Sequence, residues 1–244
     1  MDWQAARVSL LLAVCTAALL LPPCMWLARW LAHTPSRAKP LIEALLLLPL
    51  LLPPTVIGFY WLTLMGQGGA LGAWLAAHSS IRWVFSFEGL LMASLLINLP
   101  FMVQPMQRSF AAVDVQLREA AWVHGLSVWQ TFRRIELPLA WPGVLAGIAL
   151  TAAHTLGEFG VVLMVGGSIP GETKTLSVAI YDRMQAFDEA GAHSMALALV
   201  VCSLLALVVV FTADLKALRR QRGMSVTPVP PEPPEPPEPK EPGA

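Results

Sequence analysis

Apolar residues fall in long blocks separated by short polar stretches, and block length is what first decides the fold. Windows at about 8–30, 41–65, 88–107, 140–165 and 192–214 are predominantly apolar, and about 20 such residues suffice for an α-helix to cross the hydrocarbon of a bilayer. Because lipid satisfies no backbone polar group, the spanning segments must be helices. The pattern predicts an all-α integral membrane protein with five transmembrane helices and with its termini on opposite sides. Residues 1–217 are read as the membrane domain and 218–244 as a tail rich in Pro and Glu. That tail buries nothing and is expected to be extended and disordered, from Pro228 to Ala244 above all.

Composition agrees. Hydrophobic residues make up 56% of the 244 and charged residues 13%, with a mean hydropathy of +0.61, whereas soluble domains carry about 25% charged residues. Arg7 precedes the first block, as in an export leader. No small-residue cleavage site follows it, and the basic residues after it act as a stop, so the block is read as a span. Cys15, Cys24 and Cys202 fall inside spans, where a buried thiol behaves as a small hydrophobe; no disulfide or metal framework is implied.

Net charge is zero, so orientation rests on where the cations fall, since Lys and Arg flanking spans stay in the cytoplasm. With the N-terminus outside, Arg29, Arg37, Lys39, Arg108, Arg118, Arg133, Arg134, Lys216, Arg219, Arg220, Arg222 and Lys240 are cytoplasmic. Only Arg7, Arg82, Lys174 and Arg183 are not. Met1 is expected outside and Ala244 inside, with the loops around Ser79 and Gly171 facing outward.

Between the third and fourth windows the pattern changes to an amphipathic one, over 113–138. Asp114 is a plausible N-cap for a helix from Val115 to His124, and Gly125 sits where the chain must reverse. Ser127 with Gln130 three residues on forms a capping box for a second helix, which Pro138 is expected to stop. Val123, Trp129, Phe132 and Ile135 are its candidates for burial. Helix, glycine turn and helix also describe a DNA-binding unit, but one pinned within about ten residues of two spans is too short to reach a major groove, and no nucleic acid is expected. An amphipathic loop lying on the membrane is the plainer alternative.

The spacing Glu119-Ala120-Ala121, three residues, Gly125, nine residues, Ile135, one residue, Leu137-Pro138 resembles the EAA motif of permease subunits of binding-protein-dependent ABC importers. In that family the motif forms a coupling helix that docks on a separate ATPase. The resemblance implies the importer-permease fold. It also implies coupling roles for Glu119, Ala120, Ala121, Gly125, Ile135, Leu137 and Pro138, and a homodimer with its pathway at the interface. The implied partners are a pair of cytoplasmic ABC ATPase subunits and a periplasmic oxyanion-binding protein, at the inner membrane. The glycine spacing of Gly166 to Gly171 is that of a phosphate loop, but Glu172-Thr173 stands where Lys-Ser/Thr is required. ATP and Mg therefore belong to the partner, and the chain itself is expected to bind no cofactor and to be no enzyme.

Polar residues inside the windows mark a candidate pathway. Glu158 lies deep in the fourth, where a charge costs roughly 2.5 kcal/mol or more unless it is paired or faces water. Thr151, His154 and Thr155 share its face at helical spacing. Pro53, Pro54 and Thr55 break the second window, and Asn98 and Pro100 interrupt the third. Two roles fit these residues, a lock between helices or the lining of a route.

Further stretches resemble molybdate permeases: 52–58 (LPPTVIG), 65–69 (MGQGG), 156–160 (LGEFG) and 169–173 (IPGET). Sulfate and tungstate permeases share much of this pattern, so the implied cargo is an oxyanion, molybdate first. His154 stands where the relatives are expected to carry arginine. An ion-coupled secondary transporter would use Glu158 and His154 as a relay, but it has no use for the EAA cassette, and the inverted repeats expected of it are not found.

Overall fold

The computed structural model describes residues 1–78 and 81–224, and among these it is helical with no strand. Ser79 and the Pro228–Ala244 tail lie outside the described residues. The elements are α1 (Trp3–His33), α2 (Lys39–Leu51), α3 (Pro54–Met65), α4 (Ala70–His78), α5 (Phe87–Ala111), α6 (Val115–Val123), α7 (Val128–Thr131), a π turn (Phe132–Glu136), α8 (Leu137–Gly157), α9 (Gly160–Gly166), α10 (Leu176–Gln185) and α11 (Glu189–Met224).

The centre is a three-helix core of α1, α5 and α8. Leu12 clusters with Leu90, Thr16 bonds Ser94 at 2.9 Å, and Leu31 clusters with Phe110. Positions along α1 thus match positions in the same order along α5, and the two helices run parallel. α8 runs against them: Gly143 lies against Pro105 and Ser109, Gly147 against Met102, and His154 against Asn98. Helices in lipid gain little by hiding apolar surface from one another, and close backbone approach at small residues supplies the attraction instead.

Parallel α1 and α5 require the chain between them to return across the bundle. The 41–65 window makes that return, though not as the single expected helix: α2 and α3 are bent 104° apart. Pro53-Pro54 explains the break, because proline lacks the N–H to continue a helix and pushes the preceding residue into extended backbone. Leu52 is indeed extended, with ψ 137°. The 140–165 window is broken as well. α8 ends at Gly157, Glu158 is extended with ψ 129°, and α9 restarts at Gly160.

α9 ends beside the start of α5, where the Phe85 N–H donates to the Val165 carbonyl at 2.9 Å. α10 lies at that same end, and Leu176 and Ala179 pack with Ala5 and Met195. α11 then returns along α8 and remains helical to Met224, past the expected boundary at 217. Among the described residues four helices are long and apolar enough to cross a membrane, five if the bent pair counts as one span. Only 11% of the apolar window of α11 is buried, against 56% for α5, so α11 offers its side chains to lipid or to a second chain. Of the three cysteines only Cys24 is buried, and Cys202 is exposed on α11.

Candidate functional site

The 113–138 segment forms largely as its sequence dictates. The Asp114 carboxylate accepts from the Gln116 N–H at 2.9 Å, α6 ends at Val123, and Gly125 takes φ +78°. Ser127 and Gln130 bond reciprocally, each side chain to the other's backbone N–H, at 3.3 and 2.9 Å. Beyond this the expectation fails at Pro138, which does not stop the second helix. The chain runs from α7 through the π turn into α8 without a break. Within that turn the Leu137 N–H reaches back to the Phe132 carbonyl, five residues away. Proline clashes with the carbonyl four residues before it in an ordinary helix, and the wider π turn relieves that crowding.

Burial also departs from expectation. Phe132 is buried, but Val123 is 86% and Trp129 54% exposed, as are Leu117, Trp122 and Val128 in part. Ala121 is buried, whereas Glu119, Ala120, Gly125 and Pro138 are exposed and Ile135 and Leu137 are half-buried. One end of the bundle therefore presents an apolar surface rimmed by charge. The residue missed is Glu136, fully buried in the π turn and bonded to Arg29 of α1 at 2.5 and 3.0 Å. A carboxylate two residues before the Pro at a span entrance is its only local signal.

In the interior the breaks of the second and fourth windows meet. A Cβ on Gly160 would lie 2.7 Å from that of Pro54, and one on Gly58 equally close to that of Met164. Glu158 falls inside the second break, where one carboxylate oxygen accepts from the Val161 N–H at 3.2 Å and the other lies 3.6 Å from Nε2 of His154. The orphan N–H groups opening α9 thus give the carboxylate the partner that it requires at this depth, with the imidazole beside it.

His154 stacks on Phe101 at 4.0 Å, and its Nδ1 lies 3.1 Å from Oδ1 of Asn98. The Asn98 amide nitrogen donates to the Ser94 carbonyl at 2.8 Å and to its hydroxyl at 3.2 Å, and that hydroxyl meets Thr16. With the Asn98 amide so committed, Nδ1 of His154 is the donor, and Nε2 is left facing Glu158. A continuous polar chain therefore crosses α1, α5 and α8. Thr151 and Thr155 do not join it: both are buried, and the Thr155 hydroxyl donates to the Thr151 carbonyl at 2.8 Å. Among the described residues the Thr151 hydroxyl has no partner.

At the far end of the bundle, ion pairs tie the turns together: Arg82 with Glu172 at 2.6 Å, Lys174 with Asp182 at 2.7 Å, and Arg183 with Asp188 at 2.5 Å. The Gly191 N–H, aided by the Arg183 guanidinium, holds the Asp188 carboxyl below its ordinary range. No group of His, Cys, Asp and Glu suited to a metal occurs among the described residues.

Residues 8–220 match the family model described as binding-protein-dependent transport system inner membrane component. The chain is 43% identical to a molybdenum transport system permease protein of Azotobacter vinelandii, over 87% of this chain and 94% of that one. It is 37% identical to the corresponding protein of Haemophilus influenzae, over 76% and 81%. A sulfate transport system permease protein of Escherichia coli is 33% identical, over 76% and 66%. Among solved structures, a bacterial alginate ABC transporter in complex with an alginate pentasaccharide-bound periplasmic protein matches with a TM-score of 0.68 at 17% identity, over 90% of this chain and 79% of that one. That last likeness bears on the fold alone.

Proposed function

The chain belongs to the binding-protein-dependent transport system inner membrane components, and from that membership we propose that it is the membrane-spanning permease of an ATP-driven importer of molybdate. The observation that carries the cargo is the 43% identity to a molybdenum permease along 94% of that protein's length. The sulfate permease is matched at lower identity and over only 66% of its length. The chain is a transport subunit in the inner membrane and not an enzyme.

We propose that ATP and Mg act on a separate pair of cytoplasmic ATPase subunits. The exposed end formed by α6, Gly125 and α7 supports this as their docking surface, through Glu119, Ala120, Ala121 and Gly125. Ile135, Leu137 and Pro138 carry the surface into α8. Two copies of the chain form the pathway between them, and the apolar, uncovered flank of α11 is compatible with such a pairing or with lipid. The N-terminus is periplasmic and the C-terminus cytoplasmic, so the ion-paired turns around 82 and 167–188 receive the oxyanion-binding protein.

Pro53, Pro54, Thr55, His154 and Glu158 form the gate, with Thr151 and Thr155 behind them. Two helix breaks in contact at membrane depth support this, because irregular backbone survives there only against protein or a cavity. An unpaired carboxylate would repel an oxyanion. The α9 N–H groups offset that charge, and the imidazole adds to this when both of its nitrogens carry protons.

The test is reconstitution with the cognate ATPase and binding protein in vesicles, with uptake of molybdate competed by tungstate and by sulfate. Preference for molybdate upholds the reading. Preference for either rival reassigns the cargo, and uptake driven by an ion gradient without ATP refutes the importer itself.

A further inference from the structure

Three observations converge on the junction between the 113–138 segment and α8. First, the Arg29 guanidinium grips Glu136 with two of its nitrogens, Nε at 2.5 Å and Nη2 at 3.0 Å, a planar fork that fixes direction as well as distance. Glu136 is 0% exposed and Arg29 16%. Second, Phe132 opens the same π turn; its ring lies 5.4 Å from the Arg29 guanidinium and stacks with Trp26 at 5.3 Å and Trp129 at 5.4 Å. Both ends of the π turn are therefore tied to one helix, α1. Third, the segment beyond is mostly exposed and is held to the bundle chiefly here, since Ala121 is the sole fully buried residue of α6.

A buried ion pair adds little stability over apolar residues of the same volume, yet it is costly to break from one side. Stability alone is thus a poor reason for this pair. Directionality is a better one. A π turn is a locally rewound stretch of helix, common at functional hinges, and a rigid fork across it obliges α1 to follow whatever moves the turn.

We propose that Arg29 and Glu136 are positioning residues that transmit displacement of the 113–138 segment to α1, so that α1 and α8 move together rather than α8 alone. The proposal rests on the importer reading for its direction of force. Without the pair, the segment would still dock and ATP would still be hydrolysed, but the stroke would be spent on bending the π turn.

The experiment uses the reconstituted complex and measures radiolabelled molybdate uptake and ATP hydrolysis in the same vesicles. Glu136→Gln and Arg29→Gln should each lower molybdate carried per ATP by about tenfold, within the usual range of coupling energies, while binding-protein-stimulated hydrolysis persists. The swap Arg29→Glu with Glu136→Arg should recover part of the ratio. The amount of folded protein cancels in that ratio, so simple instability does not imitate the effect. An unchanged ratio in both single variants, including a parallel fall of uptake and hydrolysis, overturns the proposal.

A second readout needs no cargo. With Cys15, Cys24 and Cys202 replaced, and with doubly labelled chains diluted into an excess of unlabelled ones so that within-chain distances dominate, nitroxides at Leu10 and Val123 should report one narrow distance in the parent and a broadened one in Glu136→Gln. Equal widths overturn the proposal. Absent ATP-dependent uptake by the unmodified complex would instead sink the importer reading, leaving the label distances to decide on the joint.

Discussion

Pro54 and Gly160 touch: a methyl group on Gly160 would lie 2.7 Å from the Pro54 Cβ, so the two broken passages lean on each other at their breaks. Gly160→Val therefore forces α3 and α9 apart, and overpacking of this kind costs about 1–3 kcal/mol. Melting of the purified chain should fall accordingly, and uptake should fall further than the lost protein explains, because the displaced breaks form the gate. Uptake per folded molecule equal to that of the parent would separate this contact from transport.

At the exposed turn, Gly125 has φ +78°, yet a Cβ there meets nothing within 4 Å of its own chain. Asn tolerates this backbone region, so Gly125→Asn should fold normally while its side chain obstructs the docking cleft. The expected result is unchanged melting with less ATPase co-purifying. Glu119→Lys with Ala120→Asp, both at exposed positions, should act likewise. Full capture and uptake in both would remove the segment from docking.

How far the sequence foretold this site depends on how local each interaction is. Asp114, Gly125, Ser127 and Gln130 were legible because cap and partner sit within three residues. Pro53-Pro54 announced a break, but neither the 104° bend nor the packing of α3 against α9, about a hundred residues away, is written in the local pattern, and the short α4, α9 and α10 were not foreseen. Glu136 drew no reading at all; its partner lies 107 residues back, and periodicity carries no trace of it. Asn98 was visible as a polar interruption, though not as the residue that orients His154, 56 residues on.

Orientation yields its own prediction. Reporter domains active only outside the membrane, fused after Gly68, Gly171 and Arg222, should read active, active and inactive. The order follows from the five passages together with the excess of Lys and Arg on one side. The reverse pattern would turn the chain over, and a mixed one would mean that the bent α2–α3 pair enters and leaves by the same face.

Asp188 supplies a pH test outside the bilayer. Its carboxyl is held low by the Gly191 N–H and by Arg183, so the folded value lies beneath the unfolded one. Its stabilising effect is then complete above the unfolded value of about 3.9 and is lost as pH falls through the folded value. Asp188→Asn should melt lower than the parent at pH 7, with the gap closing below pH ~4. A gap that is constant with pH would assign the effect to shape alone.

His154 is held from both sides, by Asn98 at Nδ1 and by Glu158 at Nε2, and the two attachments make different demands. The Asn98 bond needs a donor of fixed direction; the Glu158 contact needs a positive or polar group opposite the carboxylate. His154→Asn keeps a donor near Nδ1 but abandons Glu158, whereas His154→Leu abandons both. Glu158 retains the Val161 N–H in either case, so it is never wholly unpaired, and expression should survive. The carboxylate, no longer offset by an imidazole, should then repel the oxyanion at the gate. Molybdate uptake is expected to fall about tenfold in His154→Ala, the scale of a lost polar contact that leaves its partner under-satisfied. Glu158→Gln should be milder. His154→Ala combined with Glu158→Gln should regain part of the loss, because the repelling charge has gone. That non-additivity is the signature of a coupled pair. If the double variant is simply the sum of the single ones, or if His154→Ala transports like the parent at equal expression, the pair serves packing and the gate lies elsewhere.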